Sequence, residues 1–130
     1  MFTGIIQEVG TIRSAKSING GGMEFTIECS FSETCHEDES ISINGACHTV
    51  TAFDEKVFTV QSVEETLRKT SMGELKEGSL VNLERSLTLQ KGIEGHLVQG
   101  HVDTVGTIKN IEKEETGWLI TVEYPEEFKN

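Results

Sequence analysis

A repeated segment constrains this chain more than any other feature, because the same sequence used twice builds the same supersecondary unit twice. Met1 to Ile12 (MFTGIIQEVGTI) aligns with Leu97 to Ile108 (LVQGHVDTVGTI) at an offset of 96 residues. Gly4 falls on Gly100, Ile6 on Val102, and Val9-Gly10-Thr11-Ile12 on Val105-Gly106-Thr107-Ile108. After one residue of slippage, Phe25-Thr26-Ile27-Glu28 falls on Ile120-Thr121-Val122-Glu123. The second copy is expected to be incomplete at Asn130. The chain therefore divides into a first domain over 1–95 and the beginning of a second, similar domain over 96–130.

The first copy reads as strands. Met23, Phe25, Ile27 and Cys29 alternate with Glu24, Thr26 and Glu28, the period of two that marks a half-buried strand. Ile41 and Ile43 alternate with Ser40 and Ser42, and Asn44-Gly45 then predicts a tight hairpin into Cys47–Phe53. Asp54-Glu55-Lys56 turns the chain into Val57–Val60, and Ile5–Ile12 and Leu80–Arg85 supply the opening and closing strands. Gly20-Gly21-Gly22 reads as a hairpin turn; it lacks the lysine and the following helix of a phosphate cradle. One short helix is expected after Ser62, whose spacing to Glu65 has the form of a capping box, with Gly73 ending it in a left-handed conformation. Six short strands and one helix imply an all-β fold closed into a small barrel, since closure removes exposed edges.

Charge and length exclude several functions. The 22 acidic and 11 basic residues give a net charge of −11, which opposes phosphate-backbone binding, so nucleic acid is not an expected partner. No apolar run approaches the roughly 20 residues that span a bilayer, and the start of the chain lacks the basic segment of a signal peptide. A cytoplasmic location without membrane association is expected. Three cysteines, Cys29, Cys35 and Cys47, do not form a disulfide framework in that compartment. Cys29 continues an apolar strand face and belongs in the core. Cys35 lies in the polar run Glu33–Ser40 and reads as an exposed thiol.

Two segments could carry chemistry. On a strand after the Asn44-Gly45 turn, Cys47 and Thr49 share one face and His48 takes the other. A thiol and a hydroxyl side by side could hydrogen-bond a polar heterocycle or add to it; the commoner role of a free cysteine is a small buried hydrophobe. Gly95 to Asp103 places His96, His101 and Asp103 together as either a proton-transfer set or polar linker residues. A metal site is not expected, because the adjacent residues of Cys35-His36 and of Cys47-His48 face opposite ways on a strand and no Cys-x-x-Cys spacing occurs.

These segments, in order, resemble the riboflavin synthase family. Met1 to Ile6, Ser40 to Val50, Glu65-Thr66-Leu67-Arg68 with Thr70, Gly73 and Leu75, Val81 to Arg85, and Gly95-His96 with Gly100-His101 all match its motifs. His48 departs from the pattern, where a leucine separates the cysteine from the threonine, and Met72 also replaces a leucine. The resemblance implies a six-stranded Greek-key closed barrel followed by the first strands of a second similar barrel. It implies dismutation of two 6,7-dimethyl-8-ribityllumazine molecules into riboflavin and 5-amino-6-ribitylamino-uracil, with no metal or organic cofactor. It also implies a homo-oligomer, a trimer at full length or a dimer as a fragment, with one lumazine in each of two facing barrels. Residues carried over as substrate contacts are Gly4, Ile5 and Ile6; Cys47, His48 (through its main chain) and Thr49; Gln61, Ser62, Val63, Glu64, Glu65 and Thr66; and His101, Val102 and Asp103, which would face a second site. Cys47, His101 and Ser40 are carried over as candidates for the chemistry. The alternative within the same fold is a non-catalytic module that holds lumazine or riboflavin.

Overall fold

The alternation of apolar and polar residues becomes strand geometry in the computed structural model, which describes residues 1–129. Strands β1 (Glu8–Ser17), β2 (Met23–Glu28), β3 (Ser40–Ile43), β4 (Ala46–Phe53), β5 (Val57–Ser62) and β6 (Leu80–Arg85) close into one antiparallel barrel in the order β1-β2-β5-β4-β3-β6. Helix α1 (Glu64–Lys69) follows β5. Strands β7 (Thr107–Lys113) and β8 (Trp118–Glu123) form a separate two-stranded sheet. Among the described residues no helix is long and apolar enough to cross a membrane.

Inward-facing side chains fill the barrel. Ile12, Phe25, Ile27, Ile41, Ile43, Phe58, Val60 and Leu83 are fully buried, each contributing about 1.5–3 kcal/mol relative to exposure. Asn44 and Gly45 both take positive φ, 49° and 84°, which lets a two-residue turn follow the twist of β3 and β4.

The repeat extends to the irregularities of the sheet. Ile12 pairs with Ile27 and the register then slips before Ser14; Ile108 pairs with Val122 and slips before Asn110. Across the two slips lie equivalent ion pairs, Arg13 with Glu28 and Lys109 with Glu123. The copies also meet directly: Phe2 and Val98, equivalent positions, pair antiparallel through Phe2 N to Val98 O (2.7 Å) and Val98 N to Phe2 O (2.9 Å). The β7–β8 equivalents of the first copy's inner face, Ile108, Ile111, Trp118, Ile120 and Val122, are exposed.

Four local expectations change. The opening strand begins at Glu8 rather than Ile5 and runs on to Ser17, because the segment before it is drawn to a buried carboxylate. Glu84, 2% exposed, accepts from Thr3 N (2.5 Å), Thr3 Oγ1 (2.7 Å) and Gly4 N (3.1 Å). Ser62 forms no capping box; it ends β5 with its hydroxyl turned into the barrel, and Val63 stands at the helix N-cap without a side-chain bond. The helix stops at Lys69, and Gly73 is not left-handed: it lies in a 3-10 turn where a Cβ would come within 2.6 Å of Leu67 O. Close approach, not φ, is what requires glycine there.

Cys35 is the fourth correction. The 3-10 turn Ser32–Thr34 tucks it against the barrel, 5% exposed, and burial pushes its thiol up to about 11, as it does that of Cys29. The same corner holds Arg85, whose Nε and Nη2 donate to the two carboxylate oxygens of buried Glu39 (2.6 and 3.0 Å). Arg85 also donates to Thr34 Oγ1 (2.8 Å) and Thr34 O (3.0 Å) and lies 5.3 Å from the centre of the Phe31 ring.

Candidate functional site

Three pieces of chain build a cleft of about 470 Å³ on the outside of the barrel. The first is the start of β4, where alternation turns Cys47 and Thr49 outward and His48 inward; Ala46 and Cys47 line the cleft and Thr49 does not. The second is α1, whose Glu65, Thr66 and Lys69 face the cleft with Thr70 beyond them. The third is the segment Gly100-His101-Val102-Asp103, from the second copy, which returns to lie on the first barrel. Cys47 N donates to Gly100 O at 2.9 Å and fastens this arm to β4.

Gly100 is suited to that contact for two reasons. Its φ of +82° lies in the left-handed region, and a Cβ there would come within 2.9 Å of Cys47 Cβ and 3.0 Å of Phe2 Cε2. On the opposite wall, Lys69 Nζ lies 2.7 Å from Glu65 Oε1. Glu65 raises the lysine pKa, with Asp103 adding to the effect, and Lys69 in turn lowers that of Glu65. The cleft thus offers hydrogen-bonding and charged groups on two sides, an exposed thiol, and the His101 imidazole.

The remaining sequence-derived residues are divided. Ser40 sits opposite Thr49 across the β3–β4 ladder, outside the cleft lining. Of the stretch from Gln61 to Thr66, only Glu65 and Thr66 line the cleft; Gln61, Val63 and Glu64 are exposed beside it, and Ser62 points inward. Gly4, Ile5 and Ile6 lie elsewhere: Gly4 N is held by Glu84, and the two isoleucines are about half exposed. They are the repeat equivalents of Gly100, His101 and Val102, which do line the cleft. His96 is exposed in the strap before the arm, with its ring beside Gly4. Sequence reasoning missed Lys69, although its four-residue spacing from Glu65 places both on one helix face. Among the described residues no group of three or more His, Cys, Asp or Glu side chains is placed to hold a metal ion.

Cys47 is exposed while Cys29 and Cys35 are buried, so the commoner reading of Cys47 as a core residue does not hold. Under native conditions an aromatic disulfide reagent is expected to titrate one thiol rapidly and the other two only on unfolding. The Cys47→Ser variant should lack the rapid phase; a rapid phase of more than one thiol, or one surviving in that variant, would contradict the placement.

Comparison with known proteins follows the same segments. The family described as "Lumazine binding domain" matches residues 3–86. Riboflavin synthase of Bacillus subtilis (strain 168) is 47% identical over 114 residues, covering 87% of this chain and 53% of that protein. Riboflavin synthase of Schizosaccharomyces pombe is 42% identical over 121 residues, covering 92% and 57% respectively. The chain spans about half the length of the curated relatives it matches. Among solved structures, LumP complexed with 6,7-dimethyl-8-(1'-D-ribityl) lumazine matches with a TM-score of 0.84 at 25% identity, over 97% of this chain and 70% of that one. LumP complexed with riboflavin matches with a TM-score of 0.79 at 26% identity, over 98% and 70%.

Proposed function

The chain belongs to the lumazine binding domain family, and from that premise we propose that its barrel binds 6,7-dimethyl-8-ribityllumazine and riboflavin and takes part in riboflavin synthase catalysis. The observation that carries this reading is the meeting of Cys47 from the barrel and His101 from the following copy in one cleft, in a chain similar to riboflavin synthases over most of its length. The reaction moves a four-carbon unit from one lumazine to an identical second one, leaving riboflavin and 5-amino-6-ribitylamino-uracil. Its first requirement is removal of a proton from the C7 methyl, whose anion delocalises into the ring; its second is alignment of two rings. Holding two reactants in register contributes on the order of 7–11 kcal/mol, so most of the protein's work is positioning and proton transfer.

In this reading the ring lies along the outer face of β4, where Thr49 and the main chain around Cys47 and His48 supply polar contacts. Glu65 and Thr66, with Gln61 to Glu64 alongside, take the ring edge and ribityl hydroxyls. His101, with Val102 and Asp103, closes the cleft and moves the proton. Cys47 assists addition at the ring; Ser40, on the same outer face but outside the cleft, has a weaker claim. Gly4, Ile5 and Ile6 serve a second lumazine rather than this one, and that second ring comes from another barrel in a homo-oligomer. Residues 1–95 form the first binding unit and 96–130 begin the second, with the arm crossing that boundary. A cytoplasmic location belongs to the same proposal, supported by three unpaired cysteines.

Riboflavin fluorescence and lumazine turnover test it. Quenching on titration, together with formation of riboflavin from lumazine, is the expected result, and Cys47→Ser and His101→Gln should lower turnover far more than affinity. Absence of quenching would remove the proposal. Binding without turnover would leave the second reading, a module that only carries the ligand; the structural match to LumP in complex with lumazine and with riboflavin supports the binding common to both readings.

A further inference from the structure

The buried side chain of His48 on β4 does not line the cleft, and its two hydrogen bonds point to a role. His48 is 4% exposed. Its Nδ1 lies 2.9 Å from Ala46 O, and its Nε2 lies 2.5 Å from Ser62 Oγ. A carbonyl can only accept, so Nδ1 carries the proton, Nε2 is the acceptor, and the Ser62 hydroxyl donates to it.

The register shows what this bond replaces. β4 and β5 pair from Phe53↔Phe58 to Val50↔Val60, and the ladder stops there. Continued by two residues it would set His48 opposite Ser62. From this point the strands part, one running back to Cys47 and Ala46, the other on through Val63 into α1 with Glu65 and Thr66. The cleft opens between them. The imidazole bridges the gap just where backbone pairing gives out.

We infer that His48 is a positioning residue for the ligand cleft, a side-chain strut that sets the spacing between the Cys47 wall and the Glu65–Thr66 wall. The inference rests on the proposed function only in taking riboflavin as the probe. The ring is bonded by the Ala46 carbonyl of its own strand and the Ser62 hydroxyl of β5, and its register partner on β3 is the apolar Ile41. Among the described residues no charged side chain contributes to its titration: burial lowers its pKa and the Ala46 carbonyl partly offsets this. The neutral strut is therefore the native form. Below about pH 6.5 the unfolded chain takes up the proton first, and native stability falls progressively until the pH reaches the lower native value.

Two measurements test the strut. Without ligand, the backbone amide signals of Cys47, Glu65 and Thr66 should move with the midpoint of the His48 imidazole in an NMR titration, and should lose that transition in His48→Leu, an apolar replacement of similar size. Amides of Glu65 and Thr66 indifferent to the imidazole would overturn the inference, whether or not the protein binds riboflavin. With riboflavin, His48→Leu should bind about fivefold more weakly at neutral pH, the loss of one buried hydrogen bond, while unfolding cooperatively. His48→Gln, which can still bond Ser62, should recover part of the affinity with no dependence on the imidazole. His48→Leu binding as tightly as the parent at every pH would sink the strut. A parent that binds no riboflavin would instead count against the proposed function and leave the ligand-free titration to decide.

Discussion

Replacing Arg85 by methionine is expected to lower the unfolding free energy by about 3–5 kcal/mol. Glu39 is 5% exposed and both its oxygens accept from this guanidinium, so methionine would leave a carboxylate in the barrel wall without its counter-ion. Two bonds to Thr34 and the stacking on Phe31 would go with it, loosening the turn that buries Cys35. Urea unfolding followed by the single tryptophan, Trp118, would miss the barrel, so circular dichroism is the better probe. Adding Glu39→Met should restore much of the loss, because an apolar pair removes the stranded charge. A loss below about 1 kcal/mol in the single variant would mean that the pair behaves like a solvated surface ion pair.

Gly100→Val should abolish high-affinity riboflavin binding while leaving the barrel folded. The new side chain would be forced into a left-handed backbone conformation, at a cost of about 1–3 kcal/mol, and against Cys47 and Phe2 as well. The arm can relieve both only by lifting away, which breaks the Cys47 N to Gly100 O bond and carries His101 out of the cleft. At least a tenfold loss of affinity is expected, since about 1.4 kcal/mol already accounts for that factor. The Cys47 thiol should react faster at the same time, having lost its cover. Affinity within twofold of the parent would show that the arm plays no part in holding the ligand.

The legible parts of this molecule were those set by local pattern. Alternation along Ala46–Phe53 was enough to put Cys47 and Thr49 on one face and His48 on the other, because a strand has a period of two whatever surrounds it. The repeat foretold β7 and β8, and the slip at Ile12/Ser14 reappears at Ile108/Asn110 with its ion pair. What could not be read depends on tertiary partners. Ser62 has the spacing of a capping box, yet its hydroxyl is claimed by a histidine fourteen residues away. Cys35 sits among polar neighbours whose partner Arg85 stands some fifty residues on in the chain, so nothing local announces the contact. The assembly of the cleft was hidden for the same reason: nothing local to Gly100–Asp103 says that it returns to β4.

The pairing of Phe2 with Val98 has a consequence for how the two copies stay together. A residue bonded to its own equivalent, each donating to the other, is the arrangement of an isologous contact, in which both sides offer the same surface. Here both sides belong to one chain. Their meeting is unimolecular, governed by effective concentration rather than by how much protein is present, and dilution cannot part them.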